Sequence, residues 1–127
     1  MDAASASNRP FGKAIFLQAA AESIEVIFLY AAKDLQTFCE QVLTRLGMPE
    51  RDAAVVADSL VRADLEGNEG HGISRLAIYA KRIREGRIAA DPAIAFEPAG
   101  AVLRVDGGGG LGQVVASRAI ERAMPLA

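Results

Sequence analysis

The chain has 127 residues, which is enough for one domain of ordinary size and too few for two. Apolar residues make up 51% of it, so it can bury a core. Fourteen basic and sixteen acidic side chains give a net charge of −2, which provides no electrostatic reason to expect a nucleic acid or an acidic membrane as a partner. The single cysteine and the single histidine exclude a disulfide framework, a multi-cysteine metal site and a pair of histidine ligands, so no metal is expected.

The first thirty residues differ in character from the rest of the chain. Residues 1–13 are small and polar, which predicts disorder. Residues 14–32 are apolar, but two glutamates and one glutamine interrupt them, which disfavours a membrane-spanning helix because a carboxylate in a bilayer is costly. The run indicates an additional helix or strand, with a cleaved signal peptide as the minor alternative. Residues 1–30 are therefore interpreted as an extra, partly disordered N-terminal segment.

The spacing of apolar residues predicts four amphipathic helices, at about residues 33–46, 50–65, 73–85 and 113–124. A glycine suited to a helix C-terminus follows each of the first three, at Gly47, Gly67 and Gly86. The apolar positions of the first helix are Leu35, Phe38, Cys39, Val42, Leu43 and Leu46. Because Cys39 lies on this face, it is interpreted as a core residue with an unreactive thiol.

The second and third predicted helices differ in their patterning. The second has one stripe to bury, formed by Ala53, Val56, Ala57, Leu60 and Val61. The third has an apolar face formed by Ile73, Leu76, Ala80 and Ile83. Another face of that helix carries Arg75, Tyr79 and Arg82, at i, i+4 and i+7.

Short strands are predicted near residues 94–97 and 101–105, where alternating residues are bounded by proline and glycine turns. A glycine loop at 106–112 separates the second of these strands from the last helix. The predicted fold class is therefore mixed α/β, with helices dominating the N-terminal part.

The loop at residues 67–72 contains three glycines and the only histidine, His71. An imidazole can give or take a proton near neutral pH, and Arg75, four residues later, can hold a carboxylate through two parallel hydrogen bonds. Backbone N–H groups at the start of the following helix are expected to add donors to the same anion. This pair suits the reduction of a 2-keto acid, although a solvated histidine and arginine remain the alternative on spacing alone.

The segment Gly107–Gly112 satisfies the pattern G-x-G-x-x-G between a predicted strand and a predicted helix. Four consecutive glycines match many patterns by accident, and the acidic residue expected about 20 positions later falls beyond the sequence. A tight strand-to-helix turn is therefore favoured over phosphate binding.

The stretch from Asp34 to Met124 resembles the N-terminal portion of the malate/L-lactate dehydrogenase family, the non-Rossmann NAD(P)-dependent oxidoreductases that include ureidoglycolate, sulfolactate and diketogulonate enzymes. The similarity is carried by motifs that occur in the family's order and near its spacing: Ala63–Gly67, His71–Leu76, Tyr79, Gly86–Ile88, Val105–Gly107 and Gly110–Val115. Two departures stand out. Glu69 and Gly70 replace the family's usual Asp-Ser before the histidine, and the four-glycine run replaces a loop that often contains asparagine.

The resemblance implies that His71 exchanges a proton with the substrate and that Arg75 binds the substrate carboxylate. It implies a 2-hydroxy/2-keto acid substrate, NAD or NADP as cofactor with its binding residues unknown, and a cytoplasmic enzyme that is a homodimer at full length. We expect residues 33–127 to be a fragment truncated before most of the cofactor domain and inactive alone. The alternatives are a non-catalytic helical binding or dimerisation fragment and a small nucleotide-binding module on Gly107–Gly112.

Overall fold

The computed structural model of the chain describes residues 14–21 and 24–126, with side chains from Leu29 onward. The disorder predicted for residues 1–13 lies outside the described residues. The elements, in chain order, are β1 (Ala14–Ala21), β2 (Ile24–Ala31), α1 (Ala32–Arg45), α2 (Glu50–Leu65), a 3-10 turn (Glu69–His71), α3 (Arg75–Arg84), β3 (Ala95–Ala99), β4 (Val102–Asp106), α4 (Gly112–Ala123) and a second 3-10 turn (Met124–Leu126).

The four predicted helices and both predicted strands are confirmed, with no end shifted by more than two residues. The apolar run ahead of them forms strands, which resolves the choice between helix and strand. β1 pairs antiparallel with β2, so that Ala14 lies opposite Ala31. β3 pairs antiparallel with β4 in a second hairpin, where Ala95 lies opposite Asp106. The mixed α/β class is therefore confirmed as two hairpins and a helical core.

The core lies where α1, α2, α3 and α4 meet. All five residues of the α2 stripe are buried, as predicted. The largest fully buried side chains come from α1, α2 and α4, and they are Leu43, Leu60, Val56, Val114 and Cys39. Each buried Leu or Val side chain stabilises the folded chain by about 1.5–3 kcal/mol relative to an exposed one, because its apolar surface is removed from water.

Glycine ends the first three helices in the same way, as the sequence predicts. Gly47, Gly67 and Gly86 all have positive φ angles, a conformation that costs glycine little. After α2, the Gly67 N–H donates to the Asp64 carbonyl and the Asn68 N–H donates to the Ala63 carbonyl, at 3.0 and 2.8 Å. This is a Schellman arrangement, and it fixes the backbone from which the loop before α3 begins.

The burial of two aromatic side chains depends on how the helices pack, and Phe38 departs from its predicted apolar face. Phe38 is 54% exposed, because the buried arc of α1 is centred on Cys39 and an adjacent helical residue lies about 100° away. Tyr79 is half-buried against the core, whereas Arg82, on the same predicted face of α3, is exposed. Its hydroxyl accepts a hydrogen bond from Gln113 Nε2 on α4 at 3.2 Å.

A buried ion pair holds α4 against the start of α2. Asp52, only 3% exposed, accepts hydrogen bonds from Nε and Nη2 of Arg118, the former at 3.2 Å. Both carboxylate oxygens are therefore engaged, which a buried charge requires. The sequence indicates only that Asp52 favours a helix N-terminus; its partner, 66 positions later, is apparent only in the fold.

The core position predicted for Cys39 is confirmed, and its thiol is fully buried. Burial, with the nearby charges of Asp64 and Glu40, raises the pKa of the Cys39 thiol from 9.0 to about 11. At pH about 8, this shift lowers the thiolate fraction about 10²-fold relative to an ordinary thiol. Alkylation by iodoacetamide, followed by mass spectrometry, should therefore be at least about 10²-fold slower in the folded chain than in urea. Equal rates would show that Cys39 is accessible.

The same shift predicts a loss of stability at high pH. An unfolded thiol ionises from about pH 9, whereas the folded Cys39 thiol retains its proton until about pH 11. Within that window the unfolded state binds fewer protons, so the free energy of unfolding falls as the pH rises. Below about pH 9 the thiol is protonated in both states, so the free energy of unfolding is not reduced by this ionisation.

Candidate functional site

The two predicted site residues lie on one short segment between α2 and α3, residues 67–75, which we call the site loop. His71 is the last residue of the 3-10 turn, and Arg75 is the first residue of α3. The structure therefore brings both residues into a single loop that begins at the fixed end of α2. His71 is exposed and Arg75 is partly buried.

The ring of His71 is held by Asn68, three residues earlier. Asn68 Oδ1 lies 3.0 Å from His71 Nδ1, and the Asn68 carbonyl accepts the His71 backbone N–H, also at 3.0 Å. Among the described residues, none hydrogen-bonds to the other ring nitrogen, Nε2, which leaves it able to exchange a proton with a ligand.

The guanidinium of Arg75 is anchored at one nitrogen. Its Nε donates to the Gly70 carbonyl at 2.6 Å, so the side chain folds back over the site loop. Within residues 29–126, the two terminal nitrogens make no hydrogen bond or ion pair, so they retain the parallel donors that grip a carboxylate. Gly70 contributes a backbone carbonyl to this arrangement.

Asp64, near the end of α2, fixes the backbone of the site loop through a hydrogen bond and through close packing. Its Oδ2 accepts the backbone N–H of Ile73 at 2.8 Å. Gly72 leaves the room that this carboxylate occupies, since a Cβ on Gly72 would lie 1.8 Å from Asp64 Oδ1. Gly72 is thus required for internal packing. Asp64 lies within the Ala63–Gly67 motif of the resemblance, but nothing in its spacing predicts a contact with a loop nine residues later.

The backbone donors expected at the start of α3 are not free for an anion. The Ile73 N–H is bound by Asp64, and the N–H groups of Arg75 and Leu76 donate to the carbonyls of Gly72 and Ile73 at 3.0 and 2.9 Å. The prediction that this helix terminus would assist in carboxylate binding is therefore wrong for these three amides. The first turn is tightened by its own hydrogen bonds.

The second glycine loop, Gly107–Gly112, has the geometry of a tight structural turn. Gly108 has φ of 57°, and a Cβ there would lie 2.6 Å from the Ala93 carbonyl oxygen. A Cβ on Gly110 would lie 2.6 Å from the ring of Pro92. Residues 92 and 93 therefore pack directly against this loop, and glycine is needed at positions 108 and 110 for the turn itself, which supports the structural interpretation.

Metal-ligand clusters and open grooves are the other features of the described residues that bear on a site. No group of three or more His, Cys, Asp or Glu side chains in the described part of the chain is arranged to hold a metal ion. An open groove of about 780 Å³ lies between the start of α1 and the end of α2 and is lined by residues that include Lys33, Asp58 and Arg62, but neither His71 nor Arg75. Among these same residues, no helix is long and apolar enough to cross a membrane.

Comparison with known proteins identifies the family. A model of the malate/L-lactate dehydrogenase family matches residues 30–127. The chain belongs to the malate/L-lactate dehydrogenase family. The match begins at the end of β2 and includes the site loop, so His71 and Arg75 lie within the family's part of the chain.

Individual relatives agree with this assignment. Malate dehydrogenase from Pyrococcus horikoshii is 43% identical over 102 residues, which are 79% of this chain and 28% of that protein. The (2R)-3-sulfolactate dehydrogenase (NADP(+)) of Chromohalobacter salexigens is 36% identical over 99 residues, which are 78% of this chain and 30% of that protein. The chain spans less than a third of the length of these curated relatives.

Solved structures of the family have the same fold over this region. The P. horikoshii malate dehydrogenase superposes with a TM-score of 0.68 at 37% identity, covering 84% of this chain and 28% of that one. The sulfolactate dehydrogenase of Methanocaldococcus jannaschii gives 0.69 at 36% identity, covering 74% and 28%. The helical core around the site loop is therefore a family feature.

Proposed function

We propose that this chain provides the N-terminal part of an oxidoreductase that interconverts a 2-hydroxy acid and a 2-keto acid, with His71 as acid/base and Arg75 as carboxylate clamp. Residues 33–127 would form that part, preceded by the extra segment 1–30. The observation that carries the proposal is the site loop itself. It fixes one nitrogen of each side chain, through Asn68 and Gly70, and leaves the opposite donors of both side chains open.

In the proposed mechanism His71 transfers the proton and Arg75 binds the substrate carboxylate. In the direction of reduction, protonated His71 donates from Nε2 to the carbonyl oxygen of the keto acid; in oxidation, the neutral ring takes the hydroxyl proton. Arg75 holds the substrate carboxylate through its terminal nitrogens and thereby sets the position of C2 relative to His71. The nicotinamide cofactor, when bound, supplies or accepts the hydride at C2.

The cofactor is proposed to be NAD or NADP, and the names of the relatives support the class: one is an NADP(+) sulfolactate dehydrogenase and another a ureidoglycolate dehydrogenase (NAD(+)). The close contacts of Gly108 with Ala93 and of Gly110 with Pro92 account for two of the glycines of residues 107–112 as parts of a tight turn. We therefore assign no cofactor contact to this chain. The roles proposed for its residues are proton exchange and binding of the substrate carboxylate.

A homodimeric, cytoplasmic full-length enzyme is part of the same proposal. Exposed apolar side chains support an interface: Phe38, Ile120 and Met124 are each more than half exposed. The same exposure favours the alternative of a non-catalytic binding fragment. A single buried cysteine fits a reducing compartment. Sedimentation of the full-length protein tests the dimer.

The test of function is a graft. Residues 30–127 replace the matched segment of the P. horikoshii malate dehydrogenase, and the purified graft is assayed with NADH or NADPH and with oxaloacetate, pyruvate or sulfopyruvate. We expect reduction of at least one keto acid by the graft and none by the isolated chain. A folded graft that reduces none would favour the binding fragment. A fluorescence change when NADH is added to the folded isolated chain would instead favour the nucleotide-binding module.

The substitution Arg75→Lys in the graft should raise KM for the keto acid about tenfold, since it removes the paired donors of one charge-assisted interaction, about 1.4 kcal/mol. Steady-state kinetics provides the measurement. Arg82→Lys is the matched control, because Arg82 is exposed on the same helix and contacts no acid among the described residues. An unchanged KM in the Arg75 variant would remove the clamp from the proposal.

A further inference from the structure

Asn68 is a residue of the site loop to which the proposed function assigns no role of its own. It directs two oxygens at one residue: its carbonyl accepts the His71 backbone N–H, and its side-chain Oδ1 lies 3.0 Å from His71 Nδ1. Its own backbone is fixed, since the Asn68 N–H donates to the Ala63 carbonyl at 2.8 Å at the end of α2. The contact to the ring therefore starts from a rigid helix end.

An amide oxygen only accepts hydrogen bonds, so the ring nitrogen that faces it must carry a proton. In a neutral imidazole only one nitrogen is protonated, and the other bears the lone pair. A neutral His71 bonded to Asn68 Oδ1 thus has its proton on Nδ1 and its lone pair on Nε2. Free histidine prefers the opposite tautomer, with the proton on Nε2, so the preference must come from the loop.

We propose that Asn68 is a positioning residue that holds neutral His71 in the Nδ1–H tautomer and so makes Nε2 the nitrogen that exchanges a proton with the substrate. The inference rests on the proposed function of His71. It specifies the reacting atom, Nε2, and assigns Asn68 a role that acts through His71, because among the described residues the Asn68 side chain hydrogen-bonds only to His71. In oxidation, the hydroxyl proton of the substrate moves to Nε2, and the Nδ1–H bond to Asn68 then stabilises the charged ring.

The test uses the fact that the chain has a single histidine. Long-range ¹H–¹⁵N correlation of the ¹⁵N-labelled 127-residue chain at pH about 8.5, where an ordinary imidazole is neutral, reports which ring nitrogen carries the proton without assignment ambiguity. We expect Nδ1 at the shift of a protonated nitrogen and Nε2 at the shift of an unprotonated one. A majority of the Nε2–H form in the folded wild-type chain would overturn the proposal.

Three variants separate positioning from a structural effect. Asn68→Ala should return the ring to a majority of Nε2–H, whereas Asn68→Asp keeps an acceptor oxygen and should retain Nδ1–H. Glu69→Ala removes a neighbouring exposed side chain and should leave the tautomer unchanged. A dispersed amide spectrum establishes folding in each case. Retention of Nδ1–H in Asn68→Ala would show that Asn68 does not set the tautomer.

Turnover in the graft distinguishes this proposal from the proposed function. Asn68→Ala should lower kcat about tenfold with KM for the keto acid within about twofold, because the substrate contact at Arg75 is untouched while the reacting nitrogen loses its orientation. Asn68→Asp should recover most of that loss. If His71→Ala abolishes turnover while the spectra show Nε2–H in the wild type, the function stands and the role of Asn68 fails.

Discussion

Replacing His71 with alanine in the graft should lower kcat for keto acid reduction by about 10²-fold or more, the usual scale of general acid–base catalysis. The residue is exposed, with its ring contact confined to Asn68 among the described residues, so its removal should leave the fold intact. KM for the keto acid should change little, because the carboxylate is assigned to Arg75. Stopped-flow or steady-state measurement of NADH oxidation gives both constants.

The informative comparison for His71 is with Ser74→Ala in the same loop. Ser74 Oγ donates to the Glu69 carbonyl at 3.0 Å, so its removal perturbs the loop without removing an acid or base. We expect a smaller loss of kcat for this variant. Equal losses in the two variants would indicate that loop geometry is what matters, and undiminished turnover in His71→Ala would remove His71 from the mechanism.

Local patterning is sufficient to predict the elements of this fold. The apolar spacing of α2 predicts its buried stripe correctly because all five residues repeat at helical intervals on one side. Glycines at the ends of the helices are equally informative, since a positive φ excludes most other residues. Phe38 is the counterexample. It satisfies the spacing of α1 but lies at the edge of the arc that α2 covers, and that arc depends on how two helices cross.

The candidate site was only partly predictable, for a related reason. His71 and Arg75 are visible in the sequence because their chemistry is distinctive and a known family carries the same motif. The roles of their supports are not visible there. Asp64 lies within the Ala63–Gly67 motif, but a carboxylate that accepts a backbone N–H nine residues away and a carbonyl beside a guanidinium are products of the folded loop. Of the backbone donors expected at α3, the Ile73 N–H is bound by Asp64, and those of Arg75 and Leu76 are bound by the carbonyls of Gly72 and Ile73.

The packing of Gly72 against Asp64 leads to the second large effect. Gly72→Ala should lower the free energy of unfolding by about 2 kcal/mol or more, since the new Cβ would lie within 1.8–2.5 Å of all three carboxyl atoms of Asp64. Either the carboxylate moves and the Ile73 N–H loses its acceptor, or the backbone shifts. Urea unfolding of the 127-residue chain, followed by circular dichroism, provides the measurement.

A double-mutant cycle identifies the cause. Asp64→Ala alone should destabilise the chain through the unpaired Ile73 N–H, but Gly72→Ala added to it should cost less than about 1 kcal/mol because the collision is gone. Gly70→Ala is the matched control, since a Cβ there would meet nothing within 4 Å, and it should change stability by no more than about 0.5 kcal/mol. Additive effects in the cycle would mean that Gly72 is needed for some reason other than the carboxylate beneath it. A non-additive result would place Asp64 beneath the site loop, where it fixes the segment that carries both His71 and Arg75.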